Sequence, residues 1–331
     1  MAQTPKKKWW RWGVNRWFVL LFIIGGAIAA GYYPPVQPHV QLPAENLSAT
    51  LFMFAGQEFH FTNTMLALLI ADVLLILIAF GVYRAVKSGS LAPKGLSGAV
   101  EALLEALYNM TEGTAGKWAK AIFPWFIAIT LLVLIANWTE LIPGVDSIGL
   151  LEKAEHGGYH IQELTSGVAT ILKPAKGEVV EEGYTVVPFV RVVSTDLNFT
   201  VALALIAVFM VQVIGVRAQG SAYFTKFWNT STVFSKPIFG VIDFLVGLLE
   251  LVSDFSKILS FSFRLFGNIF AGSVLLFVIG SLVPVFAQSI FLMLEFFVGI
   301  IQALVFGLLT MTFMAQATQG HGGERHEEAH A

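Results

Sequence analysis

Lys257-Ile-Leu-Ser260-Phe-Ser-Phe-Arg264-Leu-Phe-Gly267-Asn268-Ile-Phe-Ala-Gly272-Ser273-Val-Leu-Leu-Phe-Val-Ile279 sets an arginine inside a long apolar run. At bilayer depth that residue costs roughly 2.5–3.5 kcal/mol on insertion scales and about 10–17 in simulations of a lone helix. A chain tolerates it where the guanidinium faces protein or a wet cavity, usually opposite a carboxylate. Arg264 is therefore a functional candidate, and the rest of the chain must supply its setting.

Of 331 residues, 56% are hydrophobic and 13% charged, against about 25% charged in soluble domains. These figures describe an integral membrane protein. With no cysteine, disulfides, thiolate metal sites and cysteine catalysis are excluded. A net charge of −2 argues against a nucleic-acid partner. No Gly-rich phosphate loop follows a strand and no Ser/His/Asp set is arranged for nucleophilic attack. The chain is therefore expected to hold no cofactor and no nucleotide and to carry no covalent chemistry of its own.

Residues 17–33, 65–86, 121–137, 197–216 and 286–314 each have the about 17–25 apolar residues of a spanning helix. Residues 238–283 would measure roughly 69 Å as one helix at 1.5 Å per residue, against a bilayer core of about 30 Å. No turn-forming Pro or Asn-Gly pair interrupts that run, so one long inclined element is expected. Ser281-Leu-Val-Pro284 joins it to the last run as a helical hairpin over 238–316. The expected fold is an all-α membrane protein of five to six transmembrane helices, ending in two long tilted helices. Residues 1–62 form a leading span and outer segment, and 63–331 the core.

Loop charges orient the chain. Lys6, Lys7, Lys8, Arg11 and Arg16 place the start inside, and residues 34–64 carry no Lys or Arg, as an outer loop should. Arg84, Lys87, Lys94, Lys117 and Lys120 lie inside again, as do Arg217, Lys226 and Lys236. The loop from 141 to 197, with Glu178, Glu181 and Glu182, falls outside. The first span reads equally as a cleaved secretory signal or an uncleaved anchor. Over residues 95–116, Val100, Leu103, Leu104 and Leu107 share one face, with Glu101, Glu105 and Glu112 around the other. That pattern is an amphipathic helix on the inner surface or one packed on its neighbours.

The polar and small residues Asp243, Gly247, Glu250, Ser253, Asp254, Lys257, Ser260, Arg264, Gly267, Asn268 and Ala271 follow three- and four-residue steps, which gathers them on one side of a helix. A helix–helix seam explains the glycine and alanine. It does not explain so many charges, apart from simple pairs such as Asp254 with Lys257, so a hydrated functional face is expected. In the last run Gln288, Glu295 and Gln302 stack with Gly299 on one face. Glu295 sits deep in apolar sequence, where a carboxylate is costly unless it titrates or is paired. It either neutralises Arg264 or relays protons, and continuation of the stripe along both helices favours the relay. Asn137-Trp-Thr-Glu140 with Asp146, and Ser194-Thr-Asp196-Leu-Asn198, border outer span ends. There Thr195 or Asp196 suits a helix N-cap, and the acids suit a wet vestibule. The tail His321, His326 and His330 reads as solvated chain rather than a metal site.

From Ser262-Phe-Arg264-Leu-Phe-Gly-Asn268 to Gly272 the sequence resembles the signature of subunit a of F-type ATP synthases. Leu249-Glu250-Leu-Val-Ser253, Asp196-Leu-Asn198-Phe-Thr200, Asn137-Trp-Thr-Glu140 and Ile301-Gln302-Ala-Leu-Val-Phe306 follow the same family's order, so the likeness covers about 65–316. The resemblance implies two tilted helices against a rotating ring of c subunits, with Arg264 facing the ring carboxylate as an electrostatic barrier. By motif position Gln302 is its neighbour on the facing arm. Asn268 and Glu295 line an outer half-channel with Glu140 and Asp146 at its mouth, and Glu250, Ser253 and Ser260 border an inner one. Membrane lipid, the c ring and peripheral-stalk b subunits are the implied partners, and a bacterial plasma membrane the implied location. One position departs: Ser273 stands where some members carry a titratable residue, which leaves Glu295 to act alone. A secondary transporter using Arg264 and Glu295 at the midplane is the competing reading, although the two halves show no repeat. A plain structural anchor leaves the intramembrane charges unexplained.

Overall fold

The computed structural model describes residues 12–32, 43–87 apart from 55, 96–142, 144–154, 158–172, 183–227, 237–282 and 286–319. Its helices are α1 Trp12–Tyr32, α2 Asn63–Lys87, α3 Leu96–Ala115, α4 Ala119–Trp138, α5 Leu197–Gln219, α6 Pro237–Leu282 and α7 Phe286–Thr318. Among the described residues, five stretches are long and apolar enough to cross a bilayer: Asn63–Arg84, Gly98–Leu141, Leu197–Lys226, Phe244–Leu282 and Ala287–Thr318. Arg16–Ile28 is a shorter apolar helix. Helices satisfy every backbone group within the segment, which is what a hydrocarbon solvent demands. This is an integral membrane protein.

The 46-residue α6 runs unbroken. Pro237 opens it at a position where the missing N–H has no intrahelical partner to lose, and the next proline, Pro284, lies beyond its end. The stretch from Gly98 to Leu141 is two helices. A 3₁₀ turn at Gly116–Trp118 separates α3 from α4, and Gly116 there takes φ 53°, a conformation other residues reach only with strain. Leu107 and Thr111 of α3 are buried. Leu107 packs with Ile122 and Phe126 of α4, while Glu101, Glu105 and Glu112 are exposed. The helix therefore packs on α4 through Leu107, which agrees with either of the two roles open to it from sequence.

Short antiparallel pairs add to the helices. β1 (Phe52–Phe54) pairs β2 (Gln57–Phe59), β3 (Gly149–Lys153) pairs β6 (Tyr184–Pro188), and β4 (His160–Thr165) pairs β5 (Val168–Leu172). Strands this brief give little alternation to read, so the sequence suggested only loops. Gly56 and Gly167 supply the positive φ of two of the turns.

The chain divides into two compact units. One comprises Met1–Val40, Ser147–Pro188 and Ala271–Phe296. In it the end of α6 and the start of α7 run closely antiparallel: Gly272 lies under the Glu295 carboxylate and Gly280 under Gln288. The other comprises Gln41–Asp146, Phe189–Phe270 and Phe297–Ala331. Its core joins Ile129 and Val133 of α4, Leu203 and Ala207 of α5, Phe261 and Leu265 of α6, and Phe306 of α7. The Phe261 ring lies 5.1 Å from Phe306 and 5.7 Å from Phe313, so the hairpin is packed here too. At Gly307 an added Cβ would overlap the Thr130 hydroxyl; glycine lets α7 approach α4.

Lys6 to Arg11, Lys94, Glu178, Glu181, Glu182, Lys236, Pro284 and the 321–330 tail lie outside the described residues, as does the side chain of Asp243.

Candidate functional site

The stripe on α6 divides. Ser253, Ser260, Arg264, Gly267, Asn268 and Ala271 are exposed, whereas Gly247 and Asp254 are buried and Glu250 and Lys257 half-buried. The reason is the core: Phe261, Leu265 and Ile269 point inward, and they pull one edge of the polar arc with them. On the exposed edge an Arg264 guanidinium N–H donates to Ser260 Oγ at 3.2 Å. Among the described residues of its own unit, no carboxylate pairs with Arg264.

On the inward edge the polar groups are closed on one another. Asp254 Oδ1 accepts from Lys257 Nζ at 2.6 Å and Oδ2 from Gln212 Nε2 at 2.8 Å. Gln212 Oε1 accepts in turn from the Tyr223 hydroxyl at 2.7 Å. The Lys257 ammonium also lies 4.7 Å over the Phe313 ring. One turn earlier, Glu250 pairs with Lys226 at 2.6 Å. Tyr223, Lys226, Glu250, Lys257 and Phe313 border a chamber of about 380 Å³, with Gln219 and Gln316 also in its polar lining. Ser253 and Ser260, grouped with Glu250 by sequence, do not line it. Gln212, Tyr223 and Lys226 were not singled out as site residues by sequence. A tyrosine in a 3₁₀ turn and a glutamine in an apolar helix carry no periodic signal.

The opposite end of α5 holds a second polar cluster. Asp196 caps the helix by accepting from the Asn198 backbone N–H at 2.9 Å, as expected, and its other oxygen accepts from Thr64 Oγ1 at 2.9 Å. Ser194 Oγ donates to Asn137 Oδ1 at 2.6 Å. Glu140 is buried in the turn ending α4. Arg191, missed in the sequence, donates to the Pro43 carbonyl at 3.0 Å. Burial lowers its pKa, while Glu45, Asp196 and Asp146 act to raise it. Burial pushes the Asp146 carboxyl up to about 6, with Arg191 opposing. A lone arginine in a strand-rich segment gives no pattern to read.

Glu295 is 7% exposed. Both carboxylate oxygens sit where a Gly272 side chain would be, and Oε1 has no hydrogen-bond partner among the described residues. Glycine thus makes the space for a carboxyl on the facing helix. Gln302 is half-buried two turns on, and between them Gly299 packs against Asn137 and Trp138. Ser273 is buried on α6.

A family model described as ATP synthase A chain matches residues 65–315. The chain belongs to the ATP synthase A chain family. The ATP synthase subunit a of Helicobacter pylori strain Shi470 and that of strain G27 are each 28% identical over 276 residues, covering 82% of this chain and 97% of theirs. The ATP synthase A chain match takes in Arg264, Glu295, Gln302 and both polar clusters apart from Pro43, Glu45, Thr64 and Gln316, and leaves out α1.

Proposed function

We propose that this chain is the stator channel subunit of a rotary F-type ATP synthase. It leads protons through two offset half-channels to and from the carboxylates of a c-subunit ring. The observation that carries the reading is Arg264: an exposed guanidinium in a spanning helix, bonded to Ser260 and with no counter-carboxylate in its own unit among the described residues. An intramembrane charge of that kind calls for a counter-charge or a wet cavity, and a ring carboxylate is a fitting partner.

A proton crossing the membrane field releases about 2.3 kcal/mol per 100 mV. A continuous pore would dissipate it. Two paths that do not meet force the proton onto the rotor. In this reading protons enter from the Asp196 end, the outer side, past Glu140 and Asp146. Glu295, with Asn268 and Gln302 beside the path, hands them on. They leave through the chamber at Glu250, with Ser253 and Ser260 along the rotor-facing edge. Arg264 stands between the paths, drawing the deprotonated ring carboxylate and barring direct passage; a guanidinium stays charged where a buried lysine would not. Residues 63–331 are the working core. The b subunits of the peripheral stalk and surrounding lipid hold it, in the plasma membrane of a bacterium. ATP chemistry itself occurs on other subunits.

Proton flux in vesicles carrying the assembled complex tests the reading. With Arg264→Ala, ATP-driven pumping should be lost while passive conduction through the membrane sector remains. Undiminished coupled pumping would remove Arg264 from the mechanism.

A further inference from the structure

The chamber beside Glu250 has a neighbour. On the other side of Asp254, Gln212 and Tyr223 lies a groove of about 1090 Å³ between α5 and α6, walled by Phe209, Phe224, Val252 and Phe255. Lys257 faces the chamber, Asp254 and Gln212 face the groove, Tyr223 borders both, and hydrogen bonds of 2.6–2.8 Å link all four. The four side chains thus form a partition between a polar space and an apolar one. Both walls of the groove lie within spanning segments.

We propose that Asp254 is a positioning residue for the chamber: it holds Lys257 on the chamber wall with one oxygen and, through Gln212 and Tyr223 on the other, seals the chamber from the apolar groove. This rests on reading the chamber as the inner aqueous path. The physical need is plain. Water entering the groove would hydrate the face of α6 that carries Val252 and Phe255, opening a route beside the intended one. An apolar wall alone would close the groove but would leave the Lys257 ammonium without its counter-charge. A carboxylate that bonds outward to the lysine and sideways to an amide does both. The Tyr223 ring is fixed in turn by Gly215, where any side chain would collide with it. Lys226, stacked 5.7 Å over that ring, reaches Glu250. The charged and titratable groups facing Asp254 are thus Lys257 on its own helix and Tyr223 after α5, with Lys226, Glu250 and Arg217 bordering the two spaces.

The chain has no cysteine, so single cysteines report water directly. In inverted vesicles of the assembled complex, a membrane-impermeant maleimide is applied to Gln316→Cys in the chamber and to Phe255→Cys in the groove. With the partition intact, Gln316→Cys should label and Phe255→Cys stay at background. Adding Asp254→Leu or, separately, Gln212→Leu should raise labelling of Phe255→Cys toward that of Gln316→Cys. Gln212→Leu leaves the Asp254–Lys257 pair whole, and so opens the seal without stranding a charge. If Phe255→Cys labels equally with and without the partition, or stays at background in both variants, the partition is overturned while the chamber stands. If Gln316→Cys is itself unreactive, the aqueous chamber fails and the partition with it.

Discussion

Lys257 and Arg264 stand about two turns apart on one helix, and their settings are opposite. Lys257 is half-buried, paired with Asp254 at 2.6 Å and stacked on Phe313. Arg264 is exposed, with a serine hydroxyl as its bonding partner. A cation paired with a carboxylate, as Lys257 is, stabilises the fold; one with no counter-carboxylate among the described residues of its own unit, as Arg264 is, is open to a partner elsewhere. The acids repeat the contrast. Asp254 has both oxygens occupied, whereas Glu295 is buried over a glycine with Oε1 unpartnered among the described residues.

The largest expected effect comes from exchanging the two kinds of cation. Arg264→Lys should abolish ATP-driven pumping nearly as fully as alanine does, because a desolvated ammonium can give up its proton and lacks the guanidinium fork. Lys257→Arg should slow pumping without abolishing it, since Asp254 can accept from a guanidinium as well. Pumping followed by a pH-sensitive dye in vesicles reads both. If Lys257→Arg proves the more damaging, the division between a structural and a presented cation is wrong.

Next come the acids. Glu295→Gln keeps the shape and cannot take up a proton; proton flux should fall by roughly 10²-fold or more, the usual contribution of a positioned proton-transfer group, with thermal stability nearly unchanged. Asp254→Asn should do the reverse. It should cost about 1–3 kcal/mol, below the ~3–5 of breaking a fully buried pair, because Lys257 keeps its ring and the chamber. Flux should be reduced less than by Glu295→Gln. Thermal release of the subunit from the solubilised complex gives the stability arm. A larger flux loss in Asp254→Asn would reverse the two roles.

What could be read beforehand follows the range of the interaction. The unbroken α6, the Asp196 cap and the polar arc around Arg264 are local or periodic, so they were visible in the sequence. The extent of the family likeness, about 65–316, agrees with the matched 65–315. The split of the polar arc was not visible, because Asp254 and Arg264 differ only in which helices lie beside them. The Gln212–Asp254–Tyr223 network joins residues from two helices and a turn, and no spacing encodes such a meeting. Arg191 was hidden for the same reason, and the short β pairs because strands of three to six residues show little alternation.

Asp146 and Arg191 offer a third case, a charged pair at the rim rather than inside a span, and with it the smallest effect. Burial raises the Asp146 carboxyl from 3.8 to about 6 and Arg191 partly offsets this. A carboxyl with a raised folded-state value binds its proton more tightly folded than unfolded. Its contribution to stability is therefore complete below 3.8 and is lost as pH climbs through about 6. Between those limits Asp146→Asn should flatten the fall in melting temperature with rising pH, relative to the parent complex. Removing the guanidinium with Arg191→Gln takes away the influence that holds the carboxyl down, so the upper edge of the window should move above 6. An unchanged edge would mean that the Asp146 environment is set by burial alone, and Arg191 would then act through Glu45 and Asp196 instead.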